Sequence, residues 1–262
     1  MQPEDSNPED SAPEDRGQDP WARLRQATRA RIGLGRAGDA MKIADVLDFQ
    51  FAHAKARDAV HTKLDMAALR AALPGAIELH SEAPDRETYL RRPDLGRRLA
   101  PDCLPLLPKG EYDAALVIAD GLSATAVMQN AVPVYEAVAA RLRGFRLAPP
   151  IFATQARVAL GDDIGEALGA KLVAMLIGER PGLTVSDSLG IYLTYAPRRG
   201  TLDSARNCIS NVHAHGGLSH GAAADMLAWL MREALRRGLT GVGLKEASVL
   251  TLDEAAPLVE NA

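Results

Sequence analysis

Ala114-Ala-Leu-Val-Ile-Ala119, followed at once by Asp120-Gly121, is the stretch on which the fold turns. Six consecutive apolar residues that stop at an Asp-Gly pair read as a short buried strand running into a tight turn. Ala124 to Arg143 then carries a helical pattern with Pro133 inside it, which gives strand, turn, helix. Working outward, Ile151 to Val158 reads as a strand and Asp162 to Leu168 as a short helix closed by Gly169. Leu172 to Ile177 is a second buried strand ending at Gly178, and Gly190 to Tyr195 a further one. His220 to Arg237 closes the series as a helix, with Ser219 placed to cap its start and Gly238 its end. Strands alternating with helices predict an α/β fold with a mostly parallel sheet. Ligands of such sheets bind beyond the carboxyl ends of the strands, which directs attention to the loops after Ala119, Ile177 and Tyr195.

The N-terminal third has a different character. Trp21 to Arg31 and Asp39 to Val60 read as helices, the second with Ile43, Val46, Leu47, Phe49 and Phe51 at amphipathic spacing. Asp65 to Leu73 reads as a shorter helix ending before Pro74, so residues 21–100 are expected to form a mostly helical domain and residues 101–246 the α/β domain. Residues 1–20 repeat Pro-Glu-Asp three times and hold seven acids and one base, the composition of a disordered acidic tail. Removing that tail changes the charge of the chain from −4 to +2, so the body is near neutral and bulk electrostatics do not point to nucleic acid. Residues 247–262 read as a C-terminal extension without an assigned role.

The chain has 262 residues, enough for a core without disulfides, and its two cysteines, Cys103 and Cys208, suit a reduced intracellular protein. The uncharged stretch Gly121 to Tyr135 is too short to span a membrane, and none is expected to be crossed.

Three motifs suggest chemistry and fail on context. Gly33-Leu-Gly35-Arg-Ala-Gly38 has the letters of a dinucleotide fingerprint, but a basic segment precedes it where a buried strand is required. Gly217-Leu-Ser219-His-Gly221 has the letters of a nucleophile elbow, yet no histidine follows it beyond His220, so the acid and then the histidine of such a triad cannot be supplied. His213, His215 and His220 lack a paired cysteine motif and suit a glycine-rich turn better than zinc. Gly178-Glu-Arg-Pro-Gly-Leu183 is different: it places an acid and a base in a tight turn directly after the most apolar strand.

Several blocks taken together carry a family resemblance. They are Gly35-Arg-Ala-Gly38, Tyr89-Leu-Arg-Arg-Pro-Asp-Leu-Gly-Arg-Arg98, Asp120-Gly-Leu-Ser123, Arg157-Val158 with Gly161-Asp-Asp-Ile-Gly165, and Gly169-Ala-Lys171. Gly178-Glu-Arg-Pro-Gly-Leu183, Tyr195-Ala-Pro197 and Arg206-Asn-Cys-Ile-Ser-Asn211 complete the set. In this order they resemble the small (light) subunit of ethanolamine ammonia-lyase, which with its partner converts ethanolamine to acetaldehyde and ammonia.

The resemblance implies a Rossmann-like α/β part and a hetero-oligomer with a TIM-barrel large subunit. It implies adenosylcobalamin, a cobalt cofactor, bound base-on between the two, consistent with the absence of Asp-X-His-X-X-Gly from this sequence. Three cofactor contacts carry over: Val158, Glu179 and Cys208. No catalytic residue and no metal ligand are implied in this chain, since the large subunit holds the ethanolamine and the cofactor carries the radical chemistry. The chain alone would be inactive. The implied setting is the bacterial cytoplasm or a bacterial microcompartment, although the acidic tail is unlike the amphipathic segment associated with encapsulation. A non-catalytic scaffold that keeps the partner interface, and a nucleotide enzyme built on Gly33 to Gly38, are the competing readings.

Overall fold

The computed structural model describes residues 19–245; the acidic tail up to residue 18 and the extension after residue 245 lie outside them. The chain divides into two compact units, the first reaching to Ala52 and the second beginning at His53. In the first, α1 (Ala22–Ala27) is followed by a glycine-containing connection to the start of α2 (Ile43–His61). Ile43, Leu47, Phe49 and Phe51 of α2 are exposed.

The second unit is an α/β sandwich. After α3 (Met66–Ala72), the strands are β1 (Ile77–His80), β2 (Ala114–Ala119), β3 (Ile151–Thr154), β4 (Leu172–Gly178), β5 (Leu189–Tyr195) and β6 (Arg206–Val212). They form one sheet in the order β1-β3-β2-β4-β5-β6. The first four run parallel, and β5 is antiparallel to both of its neighbours. The helices of this unit continue with α4 (Arg86–Arg91), α5 (Ala124–Arg141), α6 (Leu160–Leu168) and α7 (His220–Arg237).

The apolar run that announced the fold behaves as its composition dictates. All six residues of β2 are buried, because alternate side chains enter two different cores. Ala114, Leu116 and Ile118 pack with α3, α5 and α7, while Ala115, Val117 and Ala119 pack with α6 and with Leu99, Cys103 and Leu107. The caps of α7 form as expected: Ser219 Oγ accepts the Ala222 N–H, and Gly238 takes the left-handed conformation.

Three details depart from the sequence reading. Ile77–His80 is a strand of the main sheet inside residues expected to be mostly helical; four residues of mixed polarity at a sheet edge leave almost no periodic signal. The strand expected over Ile151 to Val158 ends at Thr154, because Gln155 adopts a positive φ of 54° and turns the chain out of the sheet. Because β5 is reversed, Tyr195 pairs with Leu172 at the start of β4, so the loop after Tyr195 lies at the sheet edge opposite to the carboxyl ends of β2 and β4.

Candidate functional site

β2 connects through α5 to β3 on one side, and β3 connects through α6 to β4 on the other side of β2. The carboxyl ends of β2 and β4 are therefore adjacent at a point where the winding reverses, the place where open α/β sheets form a ligand crevice. Gly121 follows β2 with a φ of 55°, and Leu122 N–H donates to the Gly178 carbonyl at 2.9 Å. Neither Gly121 nor Gly178 has room for a side chain, because each abuts backbone of the other turn.

Asp120 organises the base of this crevice. Its carboxylate accepts the N–H groups of Gln155 at 2.9 Å and Ala156 at 3.0 Å, tying the end of β2 to the turn after β3. Arg86 Nη1 lies 3.3 Å from the same carboxylate and donates to the Gly121 carbonyl at 2.9 Å. Burial pushes the Asp120 carboxyl above its ordinary range, against the pull of those N–H groups and of Arg86.

Tyr89, fully buried, bridges the two turns: its hydroxyl lies 2.9 Å from both the Gly121 and the Ala156 carbonyl oxygens, which share its one proton. Guanidinium groups flank the ring, Arg86 at 4.8 Å and Arg157 at 4.4 Å from its centre. Burial, reinforced by the charge of Asp120, holds the phenol protonated far above its usual range. Three buried polar atoms here have no partner among the described residues: Arg86 Nη2, Gln155 Oε1 and Arg157 Nε.

Two adjoining clefts open from this base. One, of about 430 Å³, is lined by Tyr89, Gly121, Arg157, Val158, Glu179 and Tyr192 among others. The other, of about 310 Å³, includes Arg97, Arg157, Val158, Tyr192, Arg206 and Cys208. Arg157, Val158 and Tyr192 form their common wall.

All three residues singled out in the sequence thus line this pair of clefts. Val158 is half-buried in the turn that enters α6, not in β3 where the sequence placed it. Glu179 leaves β4, and its carboxylate accepts the Ser188 hydroxyl at 2.5 Å; the exposed Arg180 lines the same cleft without forming an ion pair with it. Cys208 sits within β6 directly across from Tyr192 of β5. Cys208 is exposed, yet the protein packed around its thiol, with the charge of Glu179 nearby, pushes it above its ordinary range, so it is a neutral contact group and not an activated thiolate.

Tyr89, Asp120 and Tyr192 were not marked as site residues by the sequence. The first two do lie inside motif blocks, which was the available signal; Tyr192 carried none. A larger cleft of about 520 Å³ lies farther along the same side, bordered by Arg97, Asp162, Asp163, Arg199 and Asp203. Two of its acids are paired: Arg199 makes two 2.9 Å bonds to Asp163, and Arg206 makes two 2.7 Å bonds to Asp162. That satisfaction marks a structural network more than a receptive site.

Residues 28–42 form no strand beyond an isolated bridge, and Gly33, Gly35 and Gly38 all have positive φ, as in turns. Ser219 serves as the helix cap described above. His213 contacts Asn211 at 2.9 Å and His220 contacts Asn130 at 2.9 Å, so the two imidazoles have separate partners. Among the described residues no helix is long and apolar enough to cross a membrane.

Comparison with known proteins fits this geometry. The family model for the ethanolamine ammonia-lyase light chain matches residues 18–245. The ethanolamine ammonia-lyase small subunit of Azotobacter vinelandii is 53% identical over 252 residues, covering 91% of this chain and 93% of the relative. That of Ralstonia nicotianae is 52% identical over 250 residues, with 91% and 92% covered, and one from Pseudomonas aeruginosa is 50% identical over 257 residues, with 93% and 94% covered. The chain belongs to the ethanolamine ammonia-lyase light-chain family and is the small subunit of a lyase of that kind.

Proposed function

We propose that this chain forms one wall of an adenosylcobalamin site, completed by a large subunit that holds ethanolamine and carries the acid–base groups. The observation that carries the reading is the convergence of Val158, Glu179 and Cys208, from three separate chain segments, on two clefts with a shared wall at the winding reversal.

The groups present suit a corrin. Val158 and Tyr192 offer apolar surface, Glu179 can accept hydrogen bonds from peripheral amides, and the Cys208 thiol gives a small neutral contact. The buried atoms of Gln155 and Arg157 that lack partners supply further acceptor and donor capacity beside the wall. No histidine lines either cleft, so this wall offers no imidazole to replace the cofactor's own benzimidazole on cobalt.

Size argues for a second subunit. Clefts of about 430 and 310 Å³ would enclose a drug-sized ligand, whereas a corrin with its nucleotide is several times larger and must lie mostly against another surface. The exposed apolar residues of α2 are in keeping with a chain that does not work alone.

When bound, adenosylcobalamin supplies an organic radical by cleavage of its cobalt–carbon bond. This chain's part is to orient the corrin rim and keep water from one side of it. The test is an absorbance titration with adenosylcobalamin, together with an acetaldehyde assay, on this chain, the large subunit and their mixture. Spectral change and turnover are expected only in the mixture. Turnover by this chain alone would overturn the reading, and a mixture that assembles without binding cobalamin would establish the scaffold instead.

A further inference from the structure

His80, the last residue of β1, and Asp102 and Cys103, in the 3-10 turn Pro101–Leu106, bring three different metal-ligating groups together at the outer edge of the sheet. One donor atom from each lies within 4.8 Å of the others. None of the three lines the clefts assigned to cobalamin.

The arrangement is held by backbone. Ala100 N–H donates to the His80 carbonyl at 3.1 Å, which fastens the turn beside the strand end. His80 Nδ1 lies 3.0 Å from the Ser81 carbonyl oxygen, a contact only a protonated Nδ1 can make. In the neutral ring that leaves the Nε2 lone pair unused, with Asp102 Oδ2 3.3 Å away. Cys103 Sγ lies 3.4 Å from the His80 backbone N–H, a donor that would stabilise a bound thiolate. Cys103 is buried, while the imidazole and the carboxylate are exposed and can move toward it.

We propose that His80, Asp102 and Cys103 form a three-ligand site for a divalent transition metal of the zinc type, with water as the fourth ligand. Thiolate, imidazole and carboxylate together suit zinc or cobalt(II) and do not suit magnesium or calcium, which take oxygen ligands. Bond lengths of about 2.0–2.3 Å set donor separations of roughly 3.5 Å in a tetrahedral site, so the donors need close by only about 1 Å. On binding, the metal replaces the Cys103 thiol proton, which is released to solvent. The metal would staple the edge strand β1 to the turn that covers one core.

The probe is cobalt(II) added to the full-length chain after reduction and removal of adventitious metal. One equivalent is expected to give thiolate-to-cobalt charge-transfer absorption, which zinc then abolishes by displacement. Cys103→Ser should lose the band, Cys208→Ser should keep it, and the exposed substitution His80→Gln should weaken binding by more than about tenfold. Zinc should raise the thermal midpoint of the wild-type chain more than that of His80→Gln. Absence of the band in the wild-type chain, or its survival in Cys103→Ser, would overturn the proposal.

Discussion

Gly121 and Gly178 each have backbone of the other's turn where a side chain would stand. A β-carbon on Gly121 would lie 2.2 Å from the Gly178 carbonyl oxygen, and one on Gly178 would lie 2.1 Å from the Ser123 carbonyl oxygen and 2.6 Å from that of Asp120. These clashes are with backbone, which cannot swing aside as a side chain does. Gly178→Ala is therefore expected to force the ends of β2 and β4 apart and to cost more than about 2 kcal/mol in urea unfolding. A change below about 0.5 kcal/mol would show that the crevice floor yields more easily than its geometry indicates.

Glu179 lines the proposed cofactor wall, and its carboxylate accepts the Ser188 hydroxyl. Replacing it with alanine in the assembled enzyme should raise the concentration of adenosylcobalamin needed for half-maximal activity by about tenfold, the equivalent of one charge-assisted hydrogen bond near 1.4 kcal/mol. Turnover at saturating cofactor should change far less. The reverse split would assign Glu179 a chemical role.

Arg206 and Asp162 are both about 2% exposed and joined by two 2.7 Å bonds, with Thr194 Oγ1, the Thr201 carbonyl and, at 3.5 Å, Asp203 Oδ1 completing the guanidinium's partners. Burial opposes charge on both groups, and the paired bonds favour it. Asp162→Asn leaves the buried cation with only its long contact to the exposed Asp203 and should cost about 3–5 kcal/mol, whereas replacing both Arg206 and Asp162 with apolar residues of similar volume should cost much less. Denaturant midpoints of the single and double variants decide the matter. Equal losses would mean that the pair itself, and not the orphaned charge, holds the network.

Asp113 stands just before β2 and gathers Lys171 Nζ at 2.8 Å and the Arg146 N–H at 3.0 Å, which together hold its carboxyl below its ordinary range. A depressed acid stabilises the folded state above its unfolded value near 3.8 and loses that contribution as pH falls through the lower folded value. Asp113→Asn should therefore lower the thermal midpoint at pH 7, and the gap to wild type should close as the pH drops below about 4. A gap that widens in acid would refute the assignment.

Much of this fold was legible because apolar runs and caps are local signals. β2 and β4 announce themselves by unbroken apolar composition, and α7 by Ser219 and Gly238 at its ends. What escaped depends on pairing partners far along the chain. β1 is too short and too polar to show a period, and the reversal of β5 is fixed by its neighbours β4 and β6, with nothing in Leu189–Tyr195 itself to reveal direction. The same holds for the candidate site. Glu179 was readable from its place after a strand, and Val158 and Cys208 came from motif resemblance. Tyr89 bridges Gly121 and Ala156, 32 and 67 residues away, a relation no local pattern encodes.

The wall shared by the two clefts is assembled from the turn before α6, the middle of β5 and their surroundings, with Glu179 and Cys208 added from β4 and β6. No continuous fragment of the chain contains it. Occupancy of the wall is then a reporter of the sheet's integrity: fraying of any contributing strand empties it, and a molecule seated there lends its binding free energy to every strand at once.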